Sequence, residues 1–122
     1  MTIEKFEDIN AWKESRNLIN AVYQITAKQP FSKDFGLKDQ IQRAAISVMN
    51  NIAEGFERDN NREFIRFLVY SKGSAGEVRS LLYVALDLQY ITESEFRNLY
   101  DNAVSIIKQI SKFIQYLKGN SR

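Results

Sequence analysis

An all-α fold, an antiparallel up-down-up-down four-helix bundle, is what this sequence predicts, and three observations predict it. Helix breakers are scarce, with one proline and five glycines among 122 residues. Four long stretches place apolar residues every three or four positions, the period of a single helix face. Short polar segments join those stretches, and short connections make neighbouring helices antiparallel. No alternating strand pattern, Gly/Ser-rich linker, low-complexity run or internal repeat beyond the helical period interrupts them. The chain therefore reads as a single domain over residues 1–122, with helices at about 9–28, 37–54, 61–88 and 93–118.

The first helix is expected to start near Asp8 or Asn10, both good N-cap residues. Ala11, Trp12, Leu18, Ile19, Val22, Ile25 and Thr26 fall on one broad stripe. Lys28 and Pro30 should end it, because proline disfavours helical geometry in the residue before it. Phe31 and Phe35, in the connection that follows, are expected to cap the end of the core. In the second helix Leu37, Ile41, Ala45, Val48 and Ile52 make one clean face, with Ala44 and Ala53 allowing a neighbour to approach. Gly55 stands where a left-handed residue after a helix belongs, since glycine adopts positive φ without strain.

Asn60 and Glu63 resemble a capping box opening the third helix. Its core line is Phe64, Phe67, Leu68, Ser71, Ala75, Val78, Leu82 and Ala85. Gly73 and Gly76 lie mid-helix, where each costs about 1 kcal/mol relative to alanine, so tight backbone packing against another element is expected there. Ile65, Val69, Leu81 and Tyr83 lie off the core face. A helix apolar on two sides is buried on two sides, which in so small a chain points to another subunit. Ile65, Val69, Gly73, Gly76 and Tyr83 are the candidate subunit interface. Thr92 and Glu95 form a capping box for the fourth helix, whose three-in-seven apolar stripe suits a bundle core better than a coiled-coil seam. Gly119 closes it.

Composition excludes several function classes. The chain has no cysteine and no histidine. Disulfides, thiolate chemistry and the usual general base are therefore absent, as is the commonest transition-metal ligand. The Glu-x-x-His constellation of di-iron bundles cannot form. No cofactor or metal site is expected. Nor is a catalytic carboxylate pair: an antiparallel hairpin about residues 55–60 separates Glu54 from Glu77 by about 24 Å at 1.5 Å per residue, whereas paired-carboxylate catalysis wants about 5 to 10 Å. Structural duties are expected instead, with Glu54 bonded into the turn and Glu77 paired with Lys38 or Arg43. Asn51, Glu54, Gly55 and Glu77 together form the candidate hairpin lock. A carboxylate enzyme would need Glu54 or Glu77 to meet a second carboxylate across a subunit interface, and the chain is read as no enzyme.

The acidic N-terminus lacks the apolar core of a signal peptide, and no uncharged apolar run approaches the length of a membrane span. A cytoplasmic protein with no membrane partner is expected. Net charge is +2. Residues 61–122 hold nine Lys and Arg against six acids, and Lys108, Lys112, Lys118 and Arg122 follow Asp101 with no acid among them. Cations near a helix C-terminus also complement its dipole. Arg58, Arg62 and Arg66, at i, i+4 and i+8, could grip phosphates, with Arg43 as a further candidate contact and Lys72 and Arg79 extending the basic surface. Glu57, Asp59 and Glu63 interleave with them, so in a monomer the face also reads as a solvated one. A ring of subunits would turn it into a belt.

Three motifs carry a family resemblance: Gly36-Leu37 with Gln40, then Asn51-Ile52-Ala53-Glu54-Gly55-Phe56, then Phe64-Ile65-Arg66-Phe67 followed by Gly73-Ser74 and Glu77. With the opening FEDINAWKES, the chain resembles the 23S rRNA intervening-sequence proteins, also called the four helix bundle protein family, over nearly its whole length. Family members commonly carry a proline near position 49, where this chain has Met49. The resemblance implies small bacterial proteins, some encoded within large-subunit rRNA genes, with no established enzymatic activity. It also implies similarity to the accessory variability protein of diversity-generating retroelements, a homopentameric barrel that binds nucleic acid and a reverse transcriptase. The partners it implies are other copies of the chain in a homopentamer, RNA or DNA, and a nucleic-acid-processing protein. The competing reading is a protein-binding adaptor or scaffold with no direct nucleic-acid contact.

Overall fold

The computed structural model describes residues 3–119; Arg122 of the basic tail lies outside them. A short 3₁₀ turn, Phe6–Asp8, leads into α1 (Asn10–Thr26), and a second, Phe31–Lys33, leads into α2 (Phe35–Glu57). Then come α3 (Asn61–Asp87) and α4 (Glu93–Lys118). Each helix packs on the next and α1 closes the layer against α4, which makes an up-down-up-down four-helix bundle. Leu18 and Val22, Ile41 and Ile52, Leu68 and Leu82, and Ile106 and Ile110 meet at its centre, all fully buried. Among the described residues no helix is long and apolar enough to cross a membrane.

Helix starts follow side-chain capping where a side chain can reach. Thr92 and Glu95 form the full reciprocal capping box, at 3.0 Å and 2.9 Å. At α3 only half the box forms: Asn60 Oδ1 accepts from Glu63 N at 3.0 Å, while the Glu63 carboxylate turns to Arg66. At α2 the cap is Asp34, whose Oδ1 accepts from Leu37 N at 3.2 Å, so the helix starts at Phe35, two residues before the expected Leu37. At α1 neither Asp8 nor Asn10 caps. Asp8 ends the 3₁₀ turn and Asn10 is already helical, because buried Ile9 holds the cap position. Helix α1 stops at Thr26, short of Lys28.

The expected role of Gly55 is overturned. It is helical, α2 continues to Glu57, and the left-handed residue of the turn is Asp59 at φ 55. Glycine is needed at 55 for closeness instead. A Cβ there would lie 2.6 Å from Phe67 Cβ and 3.0 Å from Phe64 Cδ1. The α2–α3 hairpin is zipped from this crossing onward. Ser71 Oγ donates to the Val48 carbonyl at 2.6 Å, the Ser47 and Ser74 hydroxyls bond at 2.9 Å, and Asn51 Nδ2 donates to Ser47 O and Oγ. Helix α2 runs unbroken through Met49.

Three further expectations change. Ser71, Ser74 and Ala75 do face α2 or the core, but Gly73 and Gly76 face away, and a Cβ on either would meet nothing within 4 Å. Leu81 is buried, on the core side of α3. Phe31 is buried and packs its ring 5.2 Å from that of Tyr90, but Phe35 is 67% exposed, on the first turn of α2, with Lys38 over its ring.

Candidate nucleic-acid interface

Two elements position the predicted arginines: the last turn of α2 with its connection, which carries Arg58, and the first two turns of α3, which carry Arg62 and Arg66. The antiparallel crossing at Gly55 folds Arg58 back beside Arg66. Both guanidiniums lie over one ring, with Arg58 Cζ 4.7 Å and Arg66 Cζ 5.4 Å from the centre of Phe67, itself only 7% exposed. Each also has a carboxylate: Arg58 reaches Glu54 at 3.4 Å and Arg66 reaches Glu63 at 2.9 Å. These pairs are solvent-exposed, so each contributes about 0–1 kcal/mol and can be exchanged for another anion at little cost. Arg62 is exposed and has no ion-pair partner among the described residues. The same holds for Arg43, but it lies on α2 about 22 Å from Arg58 along the helix. The four candidates therefore do not form one patch.

The hairpin-lock residues divide in the same way. Gly55 meets α3 directly, whereas Asn51 bonds within α2 to Ser47, whose hydroxyl makes the contact with Ser74 of α3. Among the described residues Glu54 touches the turn through Arg58, and Glu77 accepts a long 3.4 Å bond from Gln40 Nε2, not from Lys38 or Arg43. Lys38 is engaged on Phe35, and Arg43 points to solvent. Among the described residues no three His, Cys, Asp or Glu side chains gather where they could hold a metal ion.

On the outer face of α3 the candidate interface also splits. Val69 is 51% exposed, and Gly73 and Gly76 continue its line as bare backbone. Ile65 is half-buried against the core. Tyr83 is 49% exposed but leans towards α4, with its ring 4.9 Å from Phe96 and 5.7 Å from Tyr100.

That lean reveals a cluster the sequence reading passed over. Arg79 Nη2 donates to Tyr100 Oη at 2.7 Å and its guanidinium lies 5.0 Å over the same ring, while Arg79 Nε is buried without a partner. Arg97 lies over Phe96 at 5.5 Å and Tyr100 at 5.6 Å. The Arg79 hydrogen bond, followed by one to Tyr83, holds the Tyr100 hydroxyl below its ordinary pKa. Bonding to Tyr100 raises that of Tyr83. The sequence signal was available in two i,i+4 pairs, Arg79 with Tyr83 and Phe96 with Tyr100, the spacing at which helical side chains meet. What was not readable was that the two helices face each other there. A shallow groove runs along α4 beside this region, lined by Lys72, Lys108 and Lys112 around Val104 and Ile107.

Comparison with known proteins agrees with the architecture. No functionally curated protein matches the chain. A crystal structure from Bacteroides thetaiotaomicron, described as a protein of unknown function from the S23 ribosomal protein family, superimposes with a TM-score of 0.78. It is 21% identical, over 85% of this chain and 97% of that one, a likeness that speaks for the fold alone. The family model described as 23S rRNA-intervening sequence protein matches residues 7–112. With that match running over most of its length, the chain belongs to the 23S rRNA-intervening sequence protein family.

Proposed function

We propose that this protein is a non-catalytic, self-assembling four-helix bundle that works in the cytoplasm and holds nucleic acid by contacts to its phosphates. The observation that carries the reading is the open stripe on α3. Two glycines in a helix interior cost about 1 kcal/mol each, and nothing among the described residues explains them, since a Cβ at either would meet no atom within 4 Å. A second backbone approaching Val69, Gly73 and Gly76 supplies the missing reason. Arg62 and Arg66 precede Val69 on the same helix by two turns and one, so a ring built on this face, a homopentamer in the reading the family suggests, repeats them around its circumference. Phosphate binding then follows from multiplied charge, without any base-reading motif.

One native mass experiment, with and without added structured RNA, tests both halves. A single oligomeric mass at micromolar concentration, rising in RNA-bound steps, supports the proposal, and a monomer alone overturns it. Affinity should fall steeply with salt, because each neutralised phosphate releases counterions. Arg62→Ala with Arg66→Ala should lower the affinity further. An oligomer that binds no RNA at low salt points instead to a scaffold for proteins.

A further inference from the structure

We infer that Arg79, Tyr83, Arg97 and Tyr100 form a second nucleic-acid site, one that takes a single-stranded segment by stacking a base on Tyr83 and holding the adjoining phosphate between the two guanidiniums. It rests on the reading that the chain binds nucleic acid, but lies about 20 to 26 Å from Arg66 along α3 and depends on different chemistry.

Four features of the cluster point to such a ligand. Arg79 has no carboxylate partner among the described residues. Its hydrogen bond goes to a phenol oxygen and its buried Nε has none, so positive charge is left uncompensated beside the helix. Among the described residues the one carboxylate Arg97 pairs with is Asp101, at a loose 3.8 Å with both side chains mostly exposed. Between them Tyr83 keeps half its surface open, while Phe96 and Tyr100 buttress its other side. An acidic peptide would meet the arginines and leave the ring uncovered. A nucleotide brings an anion and a flat π face together, and stacking on an aromatic ring needs a base free of its duplex. Tyr83 lies two turns beyond Gly76 on the same line of α3, so the self-assembly stripe ends at Gly76 and leaves this ring, packed on Phe96 and Tyr100 of α4, open.

Fluorescence anisotropy on the full chain tests this with a labelled pyrimidine strand of about 12 nucleotides and a duplex of the same sequence. Tyr83→Ala should weaken the single strand about tenfold or more and leave the duplex unchanged, while Tyr83→Phe keeps most of the single-strand affinity. Arg97→Gln, an exposed change that leaves packing intact, should weaken the single strand and reduce its salt slope by about one. Equal losses on strand and duplex, or none on either, overturn the second site while duplex binding sensitive to Arg62→Ala leaves the wider proposal standing. No binding of either probe at low salt overturns both.

Discussion

Two places on α3 meet glycine in opposite ways. At its start, α3 presses against Gly55 of α2 so closely that a methyl group would sit 2.6 Å from Phe67 Cβ. At its middle, α3 offers its own Gly73 and Gly76 to open space. In sequence all three are glycines inside or beside long helices, and propensity penalises each alike, by about 1 kcal/mol against alanine. The subunit itself explains only the first. A missing side chain can be the imprint of a neighbour already present, or of one that is not in the subunit. The two differ only in what lies opposite the absent Cβ, which is a matter of tertiary packing and not of local sequence.

Gly55→Ala tests the closed end and should have the largest effect. The obstructing atoms are Phe67 Cβ and the Phe64 backbone oxygen, the latter at 3.3 Å, and neither can swing away as a flexible side-chain tip could. Overpacking of this kind costs typically about 1–3 kcal/mol, and opening the crossing would also strain the Ser71 to Val48 bond one turn further in. Even after the helix-propensity gain, the variant should lose about 1–2 kcal/mol, read as a lower urea midpoint. A stability equal to or above that of the parent chain would show that the crossing is loose and erase the contrast.

The open end should respond with the opposite sign. Gly73→Ala and Gly76→Ala should each raise subunit stability by about 0.5–1 kcal/mol, measured at concentrations low enough to keep the chain monomeric. In the proposed assembly the same methyl groups would stand between backbones. The concentration dependence of Tm, which reports mass-action stabilisation by association, should therefore flatten. Alanines that stabilise the monomer and leave self-association untouched would mean that the stripe is simply solvated, and would remove the main support for a ring. Alanines that destabilise the monomer would place a covering element within the chain itself.

Local signals account for what was legible in the sequence. The four helices, their antiparallel order and most of the core follow from apolar spacing, which a buried helix cannot avoid displaying. Thr92 with Glu95 was readable because a capping box is complete within four residues. Gly55 was misread because helix ends and helix crossings both select glycine, and only the position of Phe64 and Phe67 across the hairpin separates the two cases. Phe35 was misread because it lies on the first turn of α2, outside the bundle end that Phe31 closes. For the candidate site, the i, i+4, i+8 spacing of Arg58, Arg62 and Arg66 was visible, but the folding of Arg58 and Arg66 over Phe67 was not. The Arg79, Tyr83 and Tyr100 cluster spans two helices, so no single window of sequence contains it.

The last expected effect, no larger than that of either mid-helix alanine, lies away from all three glycines, where α4 begins. Glu95 accepts from Thr92 N at 2.9 Å and pairs with Lys28 Nζ at 2.8 Å, tying the segment after α1 to the α4 cap. The Lys28 hydrogen bond, then that from Thr92, holds its carboxyl below the ordinary glutamate range. A carboxylate with a folded-state pKa below its unfolded value contributes stability above the unfolded value and loses it as pH falls through the folded one. Lys28 is 64% exposed, so solvent screens the pair and the contribution should be about 0.5–1 kcal/mol. Glu95→Gln keeps a capping side chain and removes the charge. It should therefore unfold at lower urea than the parent at neutral pH, and the gap should close in acid, as pH falls through the lowered folded-state pKa of the parent carboxyl. Gly55→Ala should keep its full deficit at both pH values, because a steric clash does not titrate. If the Glu95→Gln deficit also persists in acid, cap geometry and not charge holds that corner, and the two kinds of deficit would then be mechanical alike.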